Sequence, residues 1–157
     1  MAETMRRRSG WLAGRRHGFT LIESLIVVII LGIVAAMAMP AMERGVMRSK
    51  ADRAAFTIST DLRNAFSLAA RQRKPVTITI SELNRTITIT DRATGNVIQT
   101  RNLSTNSPFG LTFLDASATV FDVFPNGVAS TNVTVQLAVG ANQRQVTMSR
   151  VGQVRQQ

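Results

Sequence analysis

The sequence predicts an α+β fold, in which a long N-terminal helix packs on an antiparallel β region of about seven strands. Two observations support this prediction. An apolar run near the N-terminus continues into an amphipathic pattern that ends near residue 74. From residue 75 onward, short segments alternate threonine with branched aliphatic residues, which is typical of strands with one buried face. The helical pattern therefore comes first and the strand pattern follows it.

The apolar run extends over 24 residues, Phe19–Met42, and Glu23 is its only charged residue. As a helix rising about 1.5 Å per residue, it would be about 36 Å long. That length exceeds the hydrocarbon core of a bilayer, which is about 30 Å thick. The run is therefore predicted to be a transmembrane helix, with a break or kink at Gly32 and Pro40.

An amphipathic helix is predicted to continue from the membrane span to about Arg73, where Lys74-Pro75 ends it. Its apolar residues recur every three or four positions, while charged residues such as Asp61 fall mainly on other faces. The expected stripe consists of Ala55, Ile58, Leu62, Ala65, Phe66 and Ala69.

Seven strands are predicted after the helix, and the last two should pair around a turn at Gly140–Gln143. The predicted strands are Val76–Ile80, Thr86–Thr90, Val97–Arg101, Leu111–Leu114, Thr119–Phe124, Asn132–Val139 and Arg144–Val151. Phe109, Phe113, Phe121 and Phe124 are expected to fill the core. The predicted organisation is a leader (1–18), a transmembrane part (19–42), an amphipathic part (43–74) and a β-rich globular region (75–157).

Charge and composition argue against several functions. The chain has 157 residues, no cysteine and a single histidine, His17. Residues 1–18 carry five arginines against one glutamate, and this bias predicts a cytoplasmic N-terminus with the C-terminal region on the other side of the membrane. The remaining 14 Lys/Arg against 8 Asp/Glu are typical of a solvated basic surface. No enzymatic activity, cofactor or metal site is expected.

Glu23 distinguishes among the interpretations of the apolar run. A carboxylate in an inserted helix is unfavourable by about 2.5 kcal/mol or more without a partner or a place near the interface. A secretory signal peptide, cleaved near Ala36-Met37-Ala38, would have a shorter apolar run and no use for Glu23. A plain signal anchor fits the length but leaves Glu23 unexplained, and a lipoprotein anchor requires a cysteine.

The order Gly18-Phe19-Thr20-Leu21-Ile22-Glu23, after an arginine-rich leader, resembles the prepilin signal of type IV pilins and type II secretion pseudopilins. This resemblance implies that a prepilin peptidase cleaves between Gly18 and Phe19 and that the new amine of Phe19 is methylated. It also implies that Glu23 pairs with the N-terminal amine of its own or a neighbouring subunit during assembly.

Two further segments resemble the FimT/GspH family of minor pilins and pseudopilins. Phe124-Pro125-Asn126-Gly127 is similar to a turn before the last hairpin of that family, and Val146–Arg155 is similar to its closing strand. The resemblance implies a minor subunit of a type II secretion pseudopilus or a type IV pilus. Such a subunit is anchored in the inner membrane with its globular domain in the periplasm, contacts other pilins through its N-terminal helix, and acts in filament (tip) assembly and protein secretion.

DNA uptake in natural transformation is the alternative function. Some FimT-like minor pilins resemble DNA receptors that use a Gly-Arg-x-Arg motif near the C-terminus. The corresponding residues are Gly152-Gln153-Val154-Arg155, so glutamine replaces the first arginine. Fewer cations mean weaker phosphate binding. The candidate DNA contacts are Arg144, Arg150 and Arg155, with Arg101 as a further member of the patch.

Overall fold

The structure is a computed structural model that describes residues 19–157. It contains one helix, α1, over Leu21–Gln72, followed by eight strands. The strands are β1 (Val76–Ser81), β2 (Thr86–Asp91), β3 (Val97–Asn102), β4 (Phe113–Ala116), β5 (Val120–Val123), β6 (Val133–Val139), β7 (Asn142–Met148) and β8 (Val154–Gln156). The α+β prediction is confirmed.

The chain divides into two compact units at Pro40/Ala41. The described part of the first unit is the apolar half of α1, and the second unit, Ala41–Gln157, contains the rest of the helix and all of the strands. In the second unit α1 ends at Gln72, where Arg73 adopts a left-handed backbone conformation with φ of 52°. Pro75 follows two residues later and cannot continue a helix.

The strands form two antiparallel four-stranded sheets, one in the order β3-β2-β1-β5 and the other in the order β4-β6-β7-β8. β1 and β2 pair directly, with Ile78 opposite Ile89. Their isoleucines are buried, while their threonines lie on the half-exposed face. The alternation of threonine with isoleucine thus gives one inner and one outer face, as predicted.

The core joins one face of α1 to the inner faces of both sheets. Most of the helix residues in this core are alanines, so the strands supply most of the apolar bulk. The buried helix residues are Ala51, Ala54, Ala55, Ile58, Leu62, Ala65 and Ala69. This face agrees with the predicted stripe, at whose edge Phe66 is partly buried.

β4, β7 and the turn before β7 differ from their predictions by two or more residues. β4 begins at Phe113 instead of Leu111. The N–H of Leu111 donates to the carbonyl of Leu103, just after β3, at 3.0 Å, so Leu111 does not pair with β6. Val139 pairs with Asn142, so the β6–β7 turn contains only two residues and has a positive φ at Gly140. β7 ends at Met148, because a tight turn with a 3.0 Å bond from the Gly152 N–H to the Ser149 carbonyl follows it.

β8 was not predicted. It is a three-residue strand in a polar C-terminal segment that shows no apolar alternation. It pairs with β7 through Met148 opposite Val154 and Thr147 opposite Arg155. This strand therefore depends on backbone pairing and on the single buried side chain of Val154.

Candidate assembly and interaction sites

Thr20 caps the N-terminus of α1. Its hydroxyl Oγ1 accepts a hydrogen bond from the Glu23 N–H at 3.3 Å, and its carbonyl accepts one from the Ser24 N–H at 3.2 Å. Glu23 is therefore the third residue of the helix and lies in its first turn, where a negative charge interacts favourably with the helix dipole. Phe19 lies just outside the helix and is exposed. Gly18, the other half of the predicted cleavage site, lies outside the described residues.

The first unit exposes an apolar helix surface. Every side chain from Phe19 to Met37 is exposed, including those of Leu25, Ile29 and Ile33. By length and composition the helix can cross a membrane, with a mean hydropathy of 2.7 in its most apolar window. A helix that is apolar on all sides requires lipid or other apolar helices around it.

The predicted break at Gly32 and Pro40 does not appear as a gap in α1, which is helical through both positions. Pro40 lacks the N–H that would close a helical hydrogen bond at its position. Gly32 has open space around the position of a Cβ atom. Bending or loosening of the helix at these two residues stays a prediction.

The candidate DNA contacts lie on the last two strands and the turn between them, and they differ in their surroundings. Arg144 in β7 donates from Nε to the Asp52 carboxylate at 2.6 Å, so its charge is neutralised. Arg150, in the turn after β7, donates from Nε to the Ala129 carbonyl at 3.3 Å. Arg155 in β8 is exposed and makes no ion pair among the described residues.

An ion pair between buried Asp61 and half-buried Arg101 joins α1 to β3. The Asp61 carboxylate accepts hydrogen bonds from Arg101 Nε at 2.8 Å, Arg101 Nη2 at 3.0 Å and Gln99 Nε2 at 2.7 Å. Asp61 is buried, and this hydrogen bonding raises the pKa of the Arg101 guanidinium. Arg101 is therefore a structural residue and contributes little positive charge to a DNA-binding patch.

Sequence reasoning missed the role of Asp61, although a signal was present. Asp61 directly precedes the buried Leu62 and lies three residues after Ile58, so it borders the apolar stripe. A carboxylate at such a position requires a buried partner. Gln99 and Arg101 are two residues apart on β3, which places both side chains on one face of the strand.

The Phe124-Pro125-Asn126-Gly127 segment forms a tight turn between β5 and β6. The Gly127 N–H donates to the Phe124 carbonyl at 3.1 Å, and the Phe124 N–H donates to the Val128 carbonyl at 2.9 Å. Gly127 has a φ of 79°, which glycine adopts without strain. The motif therefore has a local structural role before the last hairpin.

Two comparisons place these features among known proteins. Residues 14–39 match the family described as "Prokaryotic N-terminal methylation motif". The fold is similar to that of the type IV minor pilin FimU of Pseudomonas aeruginosa, at 18% identity and a TM-score of 0.55, over 68% of this chain and 91% of that chain. It is also similar to the minor pseudopilin EpsH of the Type 2 Secretion System of Vibrio cholerae, at 20% identity and a TM-score of 0.57, over 69% of this chain and 96% of that chain.

The chain has a pilin-like fold. No curated protein sequence matches it. The resemblance to FimT/GspH minor pilins is confirmed in motif and fold by these comparisons. The two described units differ in their surfaces. The first exposes the apolar side chains of α1, whereas the second buries its apolar side chains in a core between α1 and the two sheets.

Proposed function

We propose that this chain is a minor subunit of a type IV pilus or a type II secretion pseudopilus that acts in filament assembly. One observation carries the proposal: the methylation motif, residues 14–39, covers the apolar half of α1, where the side chains from Phe19 to Met37 are all exposed and the only charge, Glu23, lies in the first turn. An apolar helix of this kind is stable in a bilayer and also among equivalent helices. The same surface therefore suits both the anchored precursor and the assembled subunit.

Processing is proposed to occur between Gly18 and Phe19, followed by N-methylation of Phe19. The prepilin peptidase is then the first partner, and residues 1–18 are the leader that it removes. The end of α1 supports this proposal, because Phe19 lies outside the helix and its backbone is free of the helical ladder. Phe19 is also exposed, so its side of the bond is accessible to a peptidase.

Glu23 is proposed to direct assembly by pairing with the positively charged amine of Phe19 in a neighbouring subunit. A carboxylate among apolar helices is unfavourable unless it is paired. Glu23 lies in the first turn, three residues after the capping Thr20. This position keeps its carboxylate at the end of the helix where cleavage would expose the amine of Phe19. Residues 19–42 are proposed to remain in the inner membrane, with residues 75–157 in the periplasm, until incorporation.

The test uses the full chain in its own host, with mass spectrometry of the mature N-terminus and immunodetection in sheared filament fractions. The mature wild-type chain should begin at N-methylated Phe19, and Gly18→Leu should block cleavage. Glu23→Ala should be cleaved normally but be depleted from filaments at least about tenfold, since one lost ion pair among apolar helices is unfavourable by more than about 1.4 kcal/mol.

Ser24→Ala is the matched control, because Ser24 is a neighbouring exposed polar residue without a charge. It should be processed and incorporated like the wild type. A mature chain that begins at Met1 or near Ala38 would refute the processing proposal. Normal incorporation of Glu23→Ala would refute the role of Glu23 in assembly.

DNA uptake is the weaker proposal, because two of the four arginines in the predicted patch are ion-paired. Arg144 binds Asp52 and Arg101 binds Asp61, so Arg150 and Arg155 supply most of the accessible charge. With few phosphate contacts, affinity is low and falls only modestly as salt rises. Binding of the detergent-solubilised full chain to duplex DNA should therefore be weak at low salt and little changed by Arg144→Ala. Strong, steeply salt-dependent binding that Arg155→Ala abolishes would favour the DNA receptor instead.

A further inference from the structure

The outer face of the sheet β4-β6-β7-β8 carries a row of glutamines that the assembly function does not use. Gln136 lies opposite Gln145 in the β6–β7 ladder, and Gln145 exchanges two backbone hydrogen bonds of 2.9 and 2.8 Å with Gln157. Gln143 lies two residues before Gln145 and shares its face. We call Gln136, Gln143, Gln145 and Gln157 the glutamine face.

A shallow cavity of about 270 Å³ lies on this face, slightly smaller than the roughly 300–1,000 Å³ of common small-molecule pockets. Its lining consists of the glutamine face together with Phe113, Leu137 and Arg144. Phe113 was expected in the core but is 51% exposed, because it is opposite Ala138 on the outer side of the sheet. Its ring therefore provides an apolar wall beside the amides.

The glutamine amides have unused hydrogen-bonding capacity. Among residues 19–157, only Gln145 of the four makes a side-chain hydrogen bond, a long one of 3.5 Å from Nε2 to the Thr147 hydroxyl. Each carboxamide presents two N–H donors and one carbonyl acceptor. The carboxamides on this face therefore offer uncharged donors and acceptors close together.

These features favour a neutral polyhydroxylated ligand. Hydroxyl groups donate and accept at once, which matches carboxamides, and the C–H face of a sugar ring packs on an aromatic side chain. A phosphate is disfavoured, because Arg144 is already neutralised by Asp52 and the exposed Asp115 lies beside Gln136 in the same row. A peptide strand is disfavoured as well, since the backbone groups of a sheet face are already paired.

We propose that the glutamine face binds a neutral oligosaccharide, with Phe113 packing on a sugar ring and the amides of Gln136 and Gln145 bonding its hydroxyls. Because the cavity is open, it can hold a few sugar units of a longer glycan while the rest of the glycan lies outside it. The partner of this surface is then a polysaccharide, and the contact is separate from the helix that anchors the subunit.

The test is ligand-observed saturation-transfer NMR on the full chain in a detergent without a sugar headgroup. The probes are chitotetraose and maltotetraose, with a short oligothymidylate as the competing class of ligand. At least one oligosaccharide should receive saturation. Gln145→Ala and Phe113→Ala should each weaken its binding about fivefold or more, as expected for one lost hydrogen bond or one lost ring contact.

Gln72→Ala is the matched control, because Gln72 is an exposed glutamine at the end of α1, away from the glutamine face. It should bind like the wild type. Gln136→Ala provides a second amide variant that leaves the β7–β8 pair intact, and circular dichroism checks that every variant is folded. Absence of saturation transfer to both oligosaccharides, equal binding by all face variants, or transfer only to oligothymidylate would each overturn the proposal.

Discussion

At the scale of single residues, Asp61 shows how the domain accommodates a buried charge. Its carboxylate accepts three hydrogen bonds, two of them from one guanidinium. Charge-assisted, bidentate bonds of this kind are stronger than neutral ones and have a fixed geometry. The pair therefore holds β3, an edge strand with an otherwise exposed surface, against the helix.

The two partners of this ion pair should respond differently to substitution. Arg101→Ala leaves a buried carboxylate with only Gln99, so it should lower the free energy of unfolding by about 3–5 kcal/mol. Asp61→Ala leaves Arg101, whose side chain is 37% exposed and can be hydrated, so it should cost only about 1–3 kcal/mol.

Urea unfolding of the full chain in detergent, followed by circular dichroism, measures the free energy of unfolding of both variants. Arg85→Ala is a suitable control, because Arg85 is a turn arginine that forms no ion pair among the described residues. Equal losses for Arg101→Ala and Asp61→Ala would contradict the asymmetry.

At the scale of elements, the turn between β7 and β8 depends on a glycine for two reasons. Gly152 has a φ of 79°, and a Cβ atom there would lie 3.2 Å from two ring carbons of Phe66. The Phe66 ring is itself packed against the core, so it has little freedom to move. A side chain at this position would therefore strain the turn backbone and press on the Phe66 ring.

Gly152→Ala should destabilise the fold by more than Gly95→Ala. Gly95 has a similar φ of 73° but open space around it, so its substitution isolates the backbone strain of about 1–2 kcal/mol. Gly152→Ala adds the steric conflict with Phe66, about 1–3 kcal/mol more. Thermal unfolding of both variants in the same detergent tests this order, and a smaller loss for Gly152→Ala would contradict it.

The same elements show what the sequence can and cannot predict. β1 and β2 were predicted well, because isoleucine and threonine alternate at every position and one face is unambiguous. β4 was misplaced by two residues, because Leu111, Phe113 and Leu114 permit either register, and the register decides which of them is buried. β8 has too few apolar residues for a periodic signal, and its pairing depends on backbone bonds that composition does not reveal.

The predicted sites show the same limits. The start of the apolar helix follows from sequence, since capping by Thr20 and the position of Glu23 depend on neighbouring residues only. The ion pair of Asp61 with Arg101 and the glutamine face depend on tertiary pairing between distant segments. Local patterns therefore indicated that these residues were polar, but the fold was needed to show which of them meet.

At the scale of the whole molecule, the apolar helix and the domain of Ala41–Gln157 have opposite requirements. The domain buries its own core, whereas the side chains from Phe19 to Met37 are all exposed and require a nonpolar environment. Glu23 near one end of the predicted span is tolerated there more readily than a charge at its centre would be, because the cost of a charge depends on depth.

A positive charge at the centre of the span should therefore weaken membrane insertion, whereas the same charge near its end should not. Ile30→Arg places arginine near the middle of residues 19–42, where insertion is disfavoured by about 2.5–3.5 kcal/mol. Ser24→Arg, the matched control, lies near the end and can extend its guanidinium toward the headgroups. Alkaline carbonate extraction of membranes should release a larger fraction of Ile30→Arg than of Ser24→Arg, and equal release of both would contradict the expected dependence on depth.

The alanine-rich inner face of α1 also affects how such a protein can diversify. Ala51, Ala54 and Ala55 are small and let the helix pack close to the strands. The opposite side of the same turns carries exposed residues such as Phe56 and Thr60, which do not enter the core. Substitutions of these exposed side chains do not change the alanine contacts of the core. New contacts can therefore arise on one side of a helix while the core stays the same.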